Sequence, residues 1–145
     1  MLCRLETRDP KLAHQLERLS DDQVKRVFLA TLKHACCQSQ INHESLCRIV
    51  AAISDEETPN ESDIDAIEAA YQSAEKRYFR KSNAGKETAC WIGAFRAARC
   101  LYGALTFLGR TRVGGADEAI YELTACGDPQ SVLDVVWRAI RNVTV

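Results

Sequence analysis

At 145 residues the chain has the length of one ordinary domain, and its 46% hydrophobic and 27% charged residues exclude a disordered or fibrous protein. A formal net charge of -1 excludes a chain made basic throughout for phosphate binding. Seven cysteines, an odd number at irregular spacing, give no disulfide framework; most are expected to be reduced, small, buried hydrophobes.

Pro10, with Asp9 as N-cap, opens the first predicted helix, whose apolar face is Leu12, Leu16 and Leu19. Ser20 and Gln23 form a capping box, in which hydroxyl and amide side chains satisfy each other's orphan backbone N–H groups. Val24, Val27, Phe28, Thr31, Leu32 and Ala35 then recur at helical spacing, which predicts a helix over 21–38. Asn42 is the expected cap of a third helix with Leu46, Ile49, Val50 and Ile53 on its inner face. The acidic stretch around Pro59 reads as a loop.

Ser62 is the expected cap of a fourth helix, in which Ile64, Ile67, Tyr71, Ala74 and Tyr78 recur every three or four residues. Its early acids and late bases suit the helix dipole. After the break at residues 82–85, a fifth helix is predicted over 86–108. Trp91, Phe95, Ala98, Tyr102 and Leu105 make an aromatic-rich stripe on it. Ala89, Gly93, Ala97 and Ala104 make a small-residue stripe suited to close helix approach. A sixth helix is predicted over 116–126, and Asp128-Pro129 begins a seventh with Val132, Leu133, Val136, Trp137 and Ile140 inward. Residues 142–145 are expected to fray.

No stretch alternates like a strand, so the chain is expected to be all-α: one domain over 1–145, a compact bundle of six to seven helices around the Ala/Gly/aromatic-rich helix at 86–108. No secretory signal is read at Met1, and Arg96 and Arg99 interrupt the longest apolar stretch. The expected location is therefore cytoplasmic, with no membrane span.

The strings that suggest chemistry fail on inspection. Residues 83–88 lack the first glycine of a phosphate loop, carry Glu87 where the magnesium-binding hydroxyl belongs, and follow no strand. His34, Cys36, Cys37, His43 and Cys47 are crowded but supply no second ligand pair, and Cys36 and Cys37 point about 100° apart on a helix. No histidine sits in a Glu-x-x-His pair, and no motif places one beside a cysteine nucleophile. No catalytic residue, metal or cofactor is therefore assigned.

Charge is segregated along the chain. Residues 55–69 hold seven acids and no base, and residues 70–112 hold nine bases and two acids. Arg77, Arg80, Lys81, Lys86, Arg96 and Arg99 are the candidate anion- or partner-binding residues, with Tyr78, Phe79 and Trp91 near them. The plainer account of the same residues is helix-end complementarity and pairing with the acidic segment. The sequence favours a non-enzymatic protein-interaction module, similar in build alone to small helical adaptor or immunity-type proteins. The alternatives are a nucleic-acid or anion-binding accessory protein that uses the 70–112 segment, and an enzyme of unfamiliar type. A protein partner is expected, and self-association through the small-residue or C-terminal helices is a further expectation, which exposure of Val135 or Trp137 would mark.

Overall fold

The computed structural model describes residues 4–144. It is all-α, with eight helices and one short 3-10 turn among these residues. The helices are α1 (Arg4–Arg8), α2 (Pro10–Glu17), α3 (Asp21–Ser39), α4 (Glu44–Ser54), α5 (Glu61–Asn83), α6 (Thr88–Phe107), α7 (Ala116–Leu123) and α8 (Pro129–Thr144). The 3-10 turn Thr124–Cys126 extends α7. Helix α1 raises the count above the six to seven expected. Five residues ahead of a proline carry too little periodicity to announce a helix, and α1 is held by tertiary contacts instead: Leu5 is fully buried in the core.

Local chemistry sets most boundaries. The capping box at Ser20 and Gln23 is formed, and the Gln23 amide also donates to the Val143 carbonyl at 3.0 Å, which ties α3 to the end of α8. Asp9 caps α2 by accepting from the Leu12 amide at 3.1 Å, and Asp128 accepts from the Gln130 amide at 3.2 Å at the start of α8. Three expected starts move. His43, not Asn42, stands at the N-cap of α4 and makes no side-chain cap bond. Asn60, not Ser62, caps α5, because its side-chain oxygen takes the Ser62 amide at 2.9 Å and draws the start of the helix back to Glu61. Helix α6 begins at Thr88, because the Lys86 amide is still bonded back to the Lys81 carbonyl at 3.2 Å and so belongs to the end of α5. Residues 142–144 continue α8 rather than fray, with the Thr144 hydroxyl donating to the Ile140 carbonyl at 2.8 Å. Val145 lies outside the described residues.

The core draws on every helix. Phe28 and Phe107 stack face to face at 4.0 Å between α3 and α6. Helix α3 packs mainly on α8, α6 on α5 and α7, and α1 on α2 and α7. The close approach expected of the small-residue stripe occurs elsewhere on α6. Ala89 and Gly93 are exposed, and a Cβ at Gly93 would meet nothing. At Gly103 a Cβ would lie 2.8 Å from Leu123 and 3.2 Å from the Ala119 carbonyl oxygen, so this glycine lets α7 seat against α6.

Candidate interaction site

The distal parts of α5 and α6 form an arm. Beyond Ala74 on α5 and before Ala98 on α6, both buried, no residue from 75 to 97 is fully buried. This stretch is two antiparallel helices joined by a turn at Gly85. Tyr78 is its hub. Its ring lies 5.4 Å from Trp91 and 5.2 Å from Phe95, and 5.0 Å from Phe79, which is 50% exposed. Trp91 and Phe95 meet edge to face at 6.3 Å. An aromatic cluster of this kind holds two helices together at small cost in side-chain entropy while leaving ring surface open.

Five of the six basic candidates belong to this arm. Arg77, Arg80, Lys81 and Lys86 are exposed and Arg96 is half-buried. Among the described residues none of the five has a carboxylate within ion-pair distance. The acidic segment engages the basic one only where Glu61 meets Arg110. Its other ion pairs, Arg48–Asp63 at 2.8 Å and Lys25–Glu56 at 3.9 Å, go to earlier helices. Arg48 and, next, Ser45 hold the Asp63 carboxyl below its ordinary value.

Arg99 does a different job. It donates to Glu122 at 3.1 Å and to Glu75 at 3.4 Å, and its guanidinium lies 5.1 Å from the Tyr102 ring centroid. Glu122 and Glu118 project from α7 and are only 4% and 6% exposed. The backbone N–H of Arg4 donates to Glu118 at 3.1 Å and its Nε at 3.0 Å; its guanidinium also pairs with Glu122 and lies 4.4 Å from the Tyr121 ring centroid. Burial, together with Glu75, pushes the Tyr71 phenol up to about 12, so it stays protonated beside this network. Both buried glutamates are matched by arginines, which leaves no free carboxylate there for acid–base chemistry. Sequence reading passed over this network. The visible signal was the pair Glu118 and Glu122, one helical turn apart among Ala119, Ile120 and Leu123.

The cysteines divide. Cys100 and Cys126 are buried and Cys36 is half-buried, but Cys37, Cys47 and Cys90 are exposed, against the expectation of mostly buried thiols. Cys37 follows Cys36 on α3 and is turned about 100° away from it, so only one of the two faces inward. Cys3 lies outside the described residues. The sulfurs of Cys36 and Cys100 are 3.7 Å apart. Cys36 is pushed up by its hydrogen bond to Cys100 and by burial, and Cys100 chiefly by its bond to Cys126, so neither is a ready thiolate. His34 is occupied with the Ser131 hydroxyl at 2.9 Å. Among the described residues no group of three or more His, Cys, Asp or Glu side chains is placed to hold a metal ion, and no helix is long and apolar enough to cross a membrane.

A second surface feature lies between α3 and α4. A groove of about 330 Å³ is floored by Leu32, Cys36 and Leu46, walled by Ile41 and Val50, and edged by Lys33. The chain matches no known protein family, no curated protein and no solved structure.

Proposed function

We propose that this chain is a non-enzymatic protein-interaction module of a reducing, cytoplasmic compartment, and that the α5–α6 arm is the part that meets its partner. The supporting observation is the unneutralised charge of the arm: residues 76–96 carry six bases and one acid, and among the described residues none of these bases is in an ion pair. Half-exposed aromatic rings lie among these cations. Aromatic residues and arginine are the side chains enriched at protein interfaces, and a charged rim steers an oppositely charged partner into register. The partner chemistry that fits is an acidic protein surface with an apolar centre. The six free thiols among the described residues support the reducing compartment.

A photo-crosslinking residue in place of Phe79 tests this, with the same residue at the exposed Gln130 as control. The expected result is a discrete protein adduct from position 79 alone, resistant to nuclease and lost in the R80E/K81E variant. No adduct above the control would refute the reading. Loss of the adduct on nuclease treatment would favour a second one, an anion-binding accessory role on nucleic acid. That reading rests on the same mixture of rings and cations, which also suits stacked bases and phosphates. Self-association through α8 has less support, because the Trp137 indole is half-buried and donates to Asp9 at 3.3 Å.

A further inference from the structure

We infer that the α3–α4 groove is a binding site for a small apolar molecule bearing one negative charge, the chemistry of a medium-chain carboxylate. The groove exists because α4 is committed elsewhere. Helix α3 ends at Gln40 in a left-handed conformation, φ 56°, and a short linker turns the chain into α4. Helix α4 then packs more on α5 than on α3: Arg48 is bonded to Asp63 at 2.9 Å, and Ile49 and Ile53 are buried. With α4 tied from its far side, the gap between it and α3 is left open as the groove.

The lining selects the ligand. Seven of the nine lining residues are aliphatic or cysteine, and the remaining two are Lys33 and His43, so the wall contains no carboxylate. Lys33 is exposed and forms no ion pair among the described residues, although Lys25 on the same helix does. Glu44, next to His43 in the chain, pairs with Arg48 at 3.1 Å. The Nδ1 of His43 is enclosed and unpaired. A volume of about 330 Å³ sits at the small end of sites that hold compact organic ligands, and such sites combine an apolar lining with one or two polar groups that fix orientation. An alkyl chain fits the wall, and a carboxylate at the mouth meets the one free cation of the lining. This site is separate from the arm and stands or falls independently of it.

Exposed thiols on the groove wall provide the readout. Cys37 and Cys47 line the groove, and Cys90 on the arm is an internal control. Alkylation of the three by N-ethylmaleimide is followed by mass spectrometry in the presence of decanoate below its micellar concentration, decylammonium, or an acidic amphipathic peptide. Decanoate is expected to slow Cys37 and Cys47 about tenfold once its concentration reaches about nine times its Kd, and to leave Cys90 unchanged. K33E, a surface change, is expected to abolish protection by decanoate and confer it on decylammonium. V50W is expected to fill the groove and abolish both. Unchanged reactivity of Cys37 and Cys47 with decanoate, equal protection by decylammonium in the native chain, or protection by the peptide alone would each overturn the inference.

Discussion

Two glycines of α6 set up a paired test of how α7 is seated. Gly93 and Gly103 lie ten positions apart on one helix, so replacing either by alanine gains the same intrinsic helix propensity, about 1 kcal/mol. At Gly93 the new methyl meets nothing within 4 Å, and the full gain should appear. At Gly103 it would lie 2.8 Å from Leu123 Cδ2, 3.1 Å from Leu123 Cγ and 3.2 Å from the Ala119 carbonyl oxygen. Leu123 is 0% exposed, so its side chain can yield only by repacking within the core, and the carbonyl belongs to the α7 backbone. Relief therefore requires Leu123 to repack and α7 to give slightly, and overpacking of that kind costs about 1–3 kcal/mol. Set against the propensity gain, G103A is expected to destabilise by about 0–2 kcal/mol while G93A stabilises by about 1 kcal/mol. In urea unfolding followed by circular dichroism, the G103A midpoint should lie roughly 1 M below that of G93A. A G103A midpoint at or above that of G93A would refute the close approach of α6 and α7.

Three other outcomes are expected. E122A strands Arg99 with Glu75 alone and loosens Arg4; because both arginines keep some contact with water, the cost should be about 2–3 kcal/mol rather than the full penalty of a wholly buried charge, measured by the same unfolding. D63N removes a carboxyl that is held below its ordinary value of 3.8, and such a group adds stability above that value and loses it as pH falls through the folded-state value. The gap between native chain and variant should therefore be constant above about pH 5 and shrink on acidification below the ordinary value; a gap that widens in acid would contradict the Arg48–Asp63 pairing. Thiol labelling of the folded chain should modify Cys37, Cys47 and Cys90 quickly and reach Cys100 and Cys126 only on unfolding, and fast labelling of Cys126 would contradict its burial.

The helices were legible because their stabilisation is periodic: Leu46, Ile49 and Ile53 return on one face, and each is buried. Caps were legible where one residue had the right side chain, as at Ser20 and Asp128, and misplaced where several competed, as among Asn60, Ser62 and their neighbours. The arm's residues were named from charge and aromatic content. Their separation from the acidic segment was not readable, since it depends on α5 turning its two ends toward different surroundings. The buried glutamates were missed because their partners, Arg4 and Arg99, lie 118 and 23 positions away, beyond the reach of any local pattern. The exposed cysteines were misjudged because a thiol's average preference for burial says little about which of two adjacent positions faces inward.

The clasp between Arg4 and α7 also has an order in time. Arg4 leaves the ribosome well ahead of its two carboxylate partners, which are made 114 and 118 positions later. Helices α5 and α6, neighbours in sequence, can pair while the rest of the chain is still being synthesised; α1 must wait for α7 to emerge. Until then the growing chain carries an unclaimed arginine, and the clasp on α1 closes only as α7 arrives.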